Sequence, residues 1–238
     1  MAANRKLDFC TSLVHLQRQL IRFDRRAYLP AIYAVTDRNL VLRCSRQTEK
    51  STFLVNTILF EACAHPGLQM LFVCPRQEQA RGFSRTRLLP AIEQSPLICR
   101  TLLGQKRRQL PVMNLEFKNG SRLFIRAAYN SADACRGLSA QLLMVDEFQD
   151  VAAGHLAVLQ ETLSHAAGGR MVLVGTPKSV ENHLEGVFSN STANEWKIYC
   201  PQCRRGVALD ERCLGPHGVG CPVCQTEVGG QRAKKVFA

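Results

Sequence analysis

The sequence contains no run of roughly 18 to 20 consecutive apolar residues, which is the length that a membrane-spanning helix needs. Its N-terminus carries Arg5, Lys6 and Asp8 where a secretory signal would have an apolar segment of about 7 to 15 residues. It also has no low-complexity tract and no internal repeat with a period of about 20 to 50 residues. These absences argue against a membrane protein, a secreted protein and a repeat protein, and we expect a soluble protein.

The composition is that of a globular protein with a basic surface. Of 238 residues, 46% are apolar and 21% are charged, which favours a folded chain over a disordered one. Lysine and arginine number 31 against 19 aspartate and glutamate residues, for a formal net charge of +12. Such a surface attracts polyanions, so DNA, RNA and acidic lipid headgroups are the candidate partners.

The eleven cysteines fall into two groups. In mostly apolar segments a free cysteine behaves as a small hydrophobic residue, and six cysteines lie singly in such segments: Cys10, Cys44, Cys63, Cys74, Cys99 and Cys135. This usage fits a reducing compartment rather than a disulfide framework. The other five lie near the C-terminus and follow a different pattern.

Local patterns predict an α/β fold preceded by an N-terminal helix. Residues 7–23 carry apolar side chains near helical spacing, with Arg18 and Arg22 among them, which predicts a basic amphipathic helix. From residue 39 onward, short apolar runs alternate with helical stretches, and this alternation predicts a mainly parallel sheet covered by helices. The predicted strands are 39–44, 69–74, 141–145 and 171–174, the predicted helices are 51–64, 77–92 and 155–165, and a hairpin is predicted at 112–128 around Asn119-Gly120.

The first candidate site is the loop Cys44-Ser45-Arg46-Gln47-Thr48-Glu49-Lys50-Ser51, between a predicted strand and a predicted helix. In a phosphate-binding loop, Lys50 would reach the β- and γ-phosphates and the Ser51 hydroxyl would bind Mg²⁺. The usual pattern has glycine where this chain has Cys44 and Glu49, because the loop needs permissive φ angles. A carboxylate at Glu49 would repel a triphosphate unless it points away or pairs with a cation. The alternative is an ordinary basic loop between a strand and a helix.

Two later strands end in polar turns that suit the same pocket. Leu142–Val145 is followed by Asp146-Glu147, at the strand end where ligands of open α/β sheets bind. Asp146 would hold Mg²⁺ and Glu147 would polarise an attacking water. The strand 171–174 is followed by Gly175-Thr176-Pro177, a turn of the kind that senses a γ-phosphate. The alternatives are a solvated acid pair and a plain strand-turn-helix connection.

Together these segments resemble the ATPase domain of the large terminase subunits that package viral genomes. Ser45–Ser51 is similar to the family's Ser-Arg-Gln-x-Gly-Lys-Ser/Thr loop. The other segments that carry the resemblance, in family order, are Leu71-Phe72-Val73-Cys74-Pro75 with Gln77 and Gln79, Asn119-Gly120-Ser121, Arg136-Gly137-Leu138-Ser139, Val145-Asp146-Glu147-Phe148-Gln149-Asp150 and Gly175-Thr176-Pro177. The resemblance covers roughly residues 28–190.

The resemblance implies a fold, a site and partners. The fold would be a RecA-like P-loop NTPase, hydrolysing ATP with Mg²⁺ to drive double-stranded DNA into a capsid in the cytoplasm of the infected host cell. Its partners would be the DNA, a portal protein, a small terminase subunit and further copies of itself in a ring. The implied catalytic residues are Glu147 and Arg46, the implied nucleotide-binding residues are Ser45, Gln47, Thr48, Lys50, Ser51, Asp146 and Thr176, and the implied Mg²⁺ ligands are Ser51 and Asp146.

Two features of the family are not found in the sequence. No convincing adenine-binding glutamine precedes the loop; Tyr28 or Tyr33 could stack on the base, although a core tyrosine is the simpler interpretation. Large terminases also carry a nuclease with clustered aspartates, whereas only Asp210 follows the ATPase motifs here. We therefore expect no DNA cleavage by this polypeptide.

A Cys-rich segment near the C-terminus has the spacing of a zinc site. The knuckles Cys200-Pro201-Gln202-Cys203 and Cys221-Pro222-Val223-Cys224 are separated by 17 residues, which suits a structural zinc ribbon with four cysteine ligands. Cys213 and His217 are possible substitute ligands. The basic residues around these knuckles could contact DNA backbone or an acidic protein, or could simply face solvent. They are Arg204, Arg205, Arg212, Arg232, Lys234 and Lys235. The same alternatives hold for the clusters Arg81-Arg85-Arg87 and Lys106-Arg107-Arg108.

The predicted organisation is therefore an N-terminal helix in residues 1–27, a P-loop ATPase domain in 28–195 and a zinc ribbon with a basic tail in 196–238. One rival is a helicase fragment, since some helicases also use Asp-Glu-x-Gln-Asp, but a helicase needs a second motor domain. Another is a zinc-stabilised DNA-binding or assembly module whose degenerate loop no longer hydrolyses ATP. The motor interpretation requires Lys50, Asp146 and Glu147 to meet at adjacent strand ends around one pocket.

Overall fold

The computed structural model describes residues 5–24, 26, 28–104, 111–129, 131–208, 211–215, 218–227 and 234–235. The basic cluster Lys106-Arg107-Arg108, together with Asp210, His217 and Arg232, lies outside the described residues. The chain forms two compact units, one made of Met1–Ile21 with Thr36–Ser191 and one made of Arg22–Val35 with Thr192–Ala238. This division differs from the predicted one, because the segment Arg22–Val35 belongs with the C-terminal residues.

The elements alternate in the order expected for an α/β fold. The helices are α1 (Arg5–Leu13), α2 (Leu29–Tyr33), α3 (Lys50–Ala64), α4 (Gln77–Phe83), α5 (Leu89–Gln94), α6 (Pro96–Leu103), α7 (His155–Glu161) and α8 (His183–Ser189), with a π-helical turn at Ser84–Leu88. The strands are β1 (His15–Leu16), β2 (Gln19–Leu20), β3 (Asn39–Arg43), β4 (Gln69–Cys74), β5 (Asn114–Glu116), β6 (Arg122–Ala127), β7 (Leu142–Val145), β8 (Arg170–Gly175), β9 (Trp196–Tyr199), β10 (Gly206–Ala208), β11 (Leu214–Gly215), β12 (Gly218–Val219) and β13 (Lys234–Lys235).

The first unit is built on a sheet whose strand order is β3-β8-β7-β4-β6-β5. Every pairing is parallel except that of β5 with β6, which forms the predicted hairpin. β4 and β7 are buried along nearly their whole length, as strands covered by helices on both faces must be. The predicted parallel α/β sheet is therefore confirmed.

The register brings the carboxyl ends of three strands to one edge of the sheet. Arg43 of β3 pairs with Gly175 of β8, and Val145 of β7 pairs with Leu173 of β8. The loop after β3, the acid pair after β7 and the turn after β8 therefore lie at the same edge. Phe53, Leu54, Ile58 and Leu59 of α3 are all at most 1% exposed, so this helix is anchored in the core with its N-terminus at that edge.

The predicted helix over residues 7–23 is wrong beyond Leu13. α1 ends there, and β1 and β2 form a hairpin whose turn places both Gln17 and Arg18 at positive φ. The hairpin is held from outside, since Ser95 Oγ accepts from the His15 amide and Gln94 Oε1 accepts from the Arg18 amide. These tertiary hydrogen bonds thus override the local preference for a helix, because helix propensity contributes little free energy per residue. Across the described ranges, no helix is long and apolar enough to cross a bilayer.

The second unit has a small core of its own. β9 pairs antiparallel with β10 and β13, and β11 pairs with β12. The ring of Tyr28 packs edge-on against Trp196 with centroids 5.9 Å apart, and the buried Tyr33 packs against Phe23 at 5.0 Å. Tyr33 is therefore a core residue, as the simpler interpretation of the sequence expected.

Candidate nucleotide site

The loop between β3 and α3 folds Lys50 back over its own main chain. The ammonium donates to the carbonyl of Ser45 at 2.6 Å and lies 3.4 Å from the carbonyl of Cys44. The Ser45 carbonyl also accepts from the Thr48 hydroxyl at 2.9 Å, which tightens the loop. Lys50 is only 9% exposed, so its charge has lost most of its water and gains from a nearby anion.

Glu49 takes the left-handed conformation that glycine normally supplies in such a loop. Its φ and ψ are 63° and 22°, a strain of about 1–2 kcal/mol for a residue with a side chain. Its carboxylate accepts a hydrogen bond from the Thr52 hydroxyl at 2.9 Å, in the first turn of α3. A negative group at a helix N-terminus is stabilised by the helix dipole. Glu49 therefore preserves the backbone shape of the loop, and its carboxylate is engaged by the helix.

Asp146 and Ser51 meet across the sheet edge although 95 positions separate them in the chain. The Ser51 hydroxyl donates to Oδ2 of Asp146 at 3.2 Å, and the Glu147 amide donates to Oδ1 at 3.0 Å. Burial raises the pKa of Asp146, which is 7% exposed, and the neighbouring charge of Glu147 acts in the same direction. A cation bound to the Ser51 hydroxyl and the Asp146 carboxylate would offset both the loss of solvation and the repulsion from Glu147.

Glu147 follows in an unusual backbone conformation. Its φ and ψ are 49° and 44°, in the left-handed region, which a non-glycine residue occupies when its surroundings hold it there. Its side chain is half-buried, and Oε2 accepts from Nε2 of Gln149 at 2.6 Å. Gln149 belongs to the Asp-Glu-x-Gln-Asp string, but nothing in that pattern alone gives it a role.

The turn after β8 joins this group through the backbone. The Cys44 amide donates to the carbonyl of Gly175 at 3.0 Å, so the candidate phosphate loop is tied to the end of β8. The Thr176 amide donates to Oε1 of Gln149 at 2.9 Å, so the same turn also contacts the residues after β7. The three polar turns singled out in the sequence thus form one connected group.

One spatial prediction needs correction, because the ends of β3 and β7 are not adjacent. β8 lies between these strands and pairs with both. After β7 the chain forms α7 and then β8, which pairs on the side of β7 that faces β3. Buried parallel strands have similar apolar sequences, so the sequence does not reveal their order in the sheet. Lys50, Ser51 and Asp146 still lie at one edge, because α3 begins directly above it.

A cleft opens beside the first turn of α3. Its volume is about 340 Å³, and its walls come from the β1–β2 hairpin, from α3 and from the helical segment around α5. Thr52, Val55 and Asn56 line it from α3, next to the residues of the candidate phosphate loop. The remaining lining residues are Val14, His15, Leu16, Gln17, Ile21, Thr86, Arg87, Pro90, Ala91 and Gln94.

The other predicted loop residues are at the surface. Ser45, Arg46 and Gln47 are exposed, and Gln47 has a positive φ of 62°. Arg81, Arg85 and Arg87 are exposed as well, on α4 and the π-helical turn that follows it.

Four cysteines of the second unit converge as the knuckle pattern predicted. The sulfur atoms of Cys200, Cys203, Cys221 and Cys224 all lie within 4.8 Å of one another, with Cys200 to Cys224 at 3.5 Å and Cys203 to Cys221 at 3.7 Å. Cys213 is not in this cluster; its thiol faces the carbonyl of Ala208 at 3.5 Å. Around the cluster, the side chains of Arg204, Arg205 and Arg212 are exposed.

Comparison with known proteins identifies the family. The family model for the phage terminase large subunit gpA, ATPase domain, matches residues 30–233. A search of curated proteins finds no significant match. The chain therefore belongs to the family of phage terminase large subunit ATPase domains.

Solved terminase structures share the fold. The HK97 bacteriophage large terminase aligns with a TM-score of 0.67 at 13% identity over 81% of this chain and 42% of its own. The Thermus phage P74-26 large terminase ATPase domain aligns with a TM-score of 0.59 at 20% identity over 76% of this chain and 75% of its own. The large terminase of a thermophilic bacteriophage aligns with a TM-score of 0.53 at 10% identity, over 78% of this chain and 42% of its own. This chain thus spans less than half the length of the first and third of these proteins.

Proposed function

We propose that this chain binds Mg²⁺-ATP at the edge formed by β3, β7 and β8 and hydrolyses it to drive the translocation of double-stranded phage DNA into a capsid. The observation that carries the proposal is the contact between the Ser51 hydroxyl and the Asp146 carboxylate at 3.2 Å, beside the desolvated ammonium of Lys50. Family membership supplies the class of reaction.

The phosphates would lie in the β3–α3 loop. Lys50 would exchange its neutral carbonyl partners for the anionic β- and γ-phosphates, a stronger contact because both partners are then charged. The 15-residue helix α3 points its N-terminus at the same place and favours negative charge there. Ser45, Gln47 and Thr48 would complete the cradle, and Arg46, exposed in this loop, would stabilise charge on the transferring phosphoryl group.

Ser51 and Asp146 fit Mg²⁺. A hydroxyl and a carboxylate oxygen 3.2 Å apart suit neighbouring positions around an ion whose oxygen ligands lie at about 2.0–2.1 Å. The bound ion would neutralise charge that develops on the phosphates. It would also compensate the buried charge of Asp146.

Glu147 would act as the general base. Its carboxylate lies at the same edge, and Gln149 holds one of its oxygens. In that position it can orient a water and take its proton as the water attacks the γ-phosphorus. Thr176 would contact the γ-phosphate, so that loss of this phosphate on hydrolysis would change the position of the segment after β8.

The nucleoside would extend into the cleft beside α3. Thr52 belongs both to the first turn of α3 and to the cleft wall, so a nucleotide held by the loop can continue directly into this space. A volume of about 340 Å³ lies within the range of small-molecule sites. This placement replaces Tyr28 and Tyr33 as candidates for contacting the base.

The four-cysteine cluster of the second unit would hold a structural zinc ion, forming a zinc ribbon. Tetrahedral Zn–S bonds of about 2.3 Å separate the sulfur atoms by roughly 3.8 Å, and the two closest pairs here are 3.5 and 3.7 Å apart. All four ligands are cysteines, so no position would remain for chemistry.

The net charge of +12 and the exposed arginines at positions 81 and 85 would serve contact with the DNA backbone, whereas Arg87 lines the cleft beside α3. A portal protein, a small terminase subunit and neighbouring copies in a ring would be its partners in the cytoplasm of the infected host cell. Because a ring supplies groups from neighbouring copies, turnover by an isolated chain would be slow.

Steady-state hydrolysis of Mg²⁺-ATP by the full chain tests the proposal. Lys50→Ala should weaken nucleotide binding, and Glu147→Gln should bind nucleotide normally while kcat falls at least about 100-fold. The matched controls Lys118→Ala and Glu93→Gln change exposed residues of the same types and should behave like the wild type. Undiminished turnover in Lys50→Ala or Glu147→Gln would show that the site lies elsewhere.

A further inference from the structure

Gln149 joins two parts of the proposed site through one side chain. Its Nε2 donates to Oε2 of Glu147 at 2.6 Å and lies 3.3 Å from Oδ2 of Asp150, and its Oε1 accepts from the Thr176 amide at 2.9 Å. A carboxylate can only accept and a main-chain N–H can only donate, so these partners require a group with one donor and one acceptor. An amide meets that requirement, whereas a carboxylate or an alkyl group of the same shape does not.

The Gln149 side chain is closely packed while the turn after β8 is in this position. Gln149 is 6% exposed, and its main-chain carbonyl accepts from Nδ2 of Asn182 at 3.1 Å. A Cβ atom at Gly175 would lie 2.7 Å from Gln149 Oε1 and 2.7 Å from a methyl group of Leu184, closer than real contacts allow. Glycine at position 175 is therefore explained by the close approach of the Gln149 side chain.

The other end of the link is a strained residue. Glu147 sits in the left-handed region and its carbonyl accepts from the Asp150 amide at 2.9 Å, closing a tight turn. Such a conformation costs about 1–3 kcal/mol and persists only where neighbouring contacts hold it. The hydrogen bond from Gln149 Nε2 holds one oxygen of the Glu147 carboxylate beside this turn.

Two further contacts tie the same segments together. Lys178 pairs with Asp150, and Nε2 of His183 lies 2.7 Å from the carbonyl of Phe148. These contacts bind the segment after β8 to the turn after β7. The contact through Gln149 differs from them because it reaches the Glu147 carboxylate itself.

We propose that Gln149 is a positioning residue that couples the orientation of the Glu147 carboxylate to the position of the Gly175-Thr176 turn. When the turn moves, the acceptor end of the amide follows the Thr176 amide and the donor end leaves Glu147. Hydrolysis would then be permitted only while the segment after β8 is docked. This inference rests on the proposed ATPase function.

Two variants separate the ends of the link. Gln149→Glu keeps an acceptor for the Thr176 amide and replaces the donor to Glu147 by a carboxylate that repels Glu147 and Asp150, whereas Gln149→Leu loses both hydrogen bonds without adding charge. We expect kcat for ATP hydrolysis to fall about 10- to 100-fold in each, because misplacing a reacting group by about 1 Å has effects of this size. The dissociation constant for a fluorescent ATP analogue should stay within about twofold, because Lys50 and Ser51 are untouched.

Hydrogen exchange of the Thr176 amide, followed by NMR, is the second readout. Exchange should remain slow in Gln149→Glu and become about 5- to 10-fold faster in Gln149→Leu, as expected for the loss of one hydrogen bond. Glu147→Ala should also speed exchange at Thr176, by at least about twofold, since coupled residues influence each other in both directions. Gln160→Glu, an exposed change of the same type on α7, should alter neither readout.

The outcomes distinguish the coupling from the ATPase proposal. The coupling would be overturned, with the ATPase proposal intact, if kcat stayed within twofold of wild type in both Gln149 variants. It would also be overturned if hydrogen exchange at Thr176 were unchanged in Gln149→Leu and Glu147→Ala. Equal losses in kcat and nucleotide affinity would indicate general structural damage and also overturn it. Absent turnover by the wild-type chain would contradict the proposed function, and the exchange measurements would still decide whether the link exists.

Discussion

The two units assemble their polar clusters by different routes. In the first unit, Ser51 and Asp146 are 95 positions apart and meet only because a parallel sheet brings strand ends to one edge. In the second unit, two Cys-x-x-Cys knuckles place four sulfur atoms within 4.8 Å, using short turns and very little core. The first cluster is therefore held by packing, whereas the second would be held by the ion that it binds.

The largest effect is expected from removing metal from the second unit. A structural zinc contributes of order 10 kcal/mol to the folding of a small module, so chelation or Cys203→Ser should unfold the second unit. Trp196 is the single tryptophan of the chain and belongs to this unit, so its fluorescence reports the change directly. Emission should shift to longer wavelength and the Trp196-monitored transition should be lost.

Cys213→Ser is the matched control, because Cys213 is buried in the same unit but lies outside the cluster. It should retain the native Trp196 emission and bind one zinc ion per chain. A Cys203→Ser protein with full zinc content and wild-type emission would contradict the metal-dependent picture.

In the first unit, Asp146→Asn should separate stability from activity. Burial and the Glu147 charge raise the pKa of Asp146, so the charged form is disfavoured in the folded state. The amide should abolish Mg²⁺-dependent turnover and raise Tm in the absence of Mg²⁺ by about 2–4 °C, the shift expected for roughly 1 kcal/mol. The Ser51 hydroxyl can accept as well as donate, so the contact across the sheet edge survives.

The sign of the pH dependence follows from the raised pKa. Below its folded-state pKa, wild-type Asp146 is protonated, and the neutral carboxyl suits its buried position. As pH rises through that pKa the carboxyl becomes charged, and the free energy of unfolding falls. The Tm advantage of Asp146→Asn should therefore be greatest near neutral pH and shrink in acid. Thermal melts in chelator across this range measure it, and a Tm difference that grows in acid would contradict the assignment.

The smallest effect is expected at Glu49. Glycine would relieve the left-handed strain but would lose the hydrogen bond from Thr52, so stability should change by no more than about 1 kcal/mol. Nucleotide affinity should rise about threefold, because a carboxylate leaves the neighbourhood of the phosphates. Glu49→Gln, which keeps the length of the side chain, should show a similar gain in titrations with a fluorescent ATP analogue. Affinity unchanged in both variants would show that the Glu49 charge has no influence on the site.

Prediction from sequence was strongest where chemistry and periodicity agreed. The buried strands around Leu71 and Leu143 and the Asn119-Gly120 hairpin follow from local residue choice, since these patterns bury apolar side chains and satisfy a turn with few alternatives. The four zinc-ligand candidates follow from spacing alone, because each knuckle is a local turn.

Prediction failed where distant contacts compete with local preference. The helical pattern of residues 14–20 loses to a hairpin, because Ser95 and Gln94 supply hydrogen bonds that no window around residue 17 contains. The role of Gln149 was equally hidden, because its partners Glu147 and Thr176 are joined through the end of β8.

The sequence by itself determined which side chains are available at the end of each strand and that two knuckles could share one ion, because both depend on residues close together in the chain. Only the tertiary structure decided that β8 lies between β3 and β7, that Glu49 keeps the loop in the shape glycine would give it, and that one amide spans Glu147 and Thr176. The physical reason is that strand order and polar contacts across a sheet edge depend on which elements pack together, and buried parallel strands carry no local mark of their neighbours.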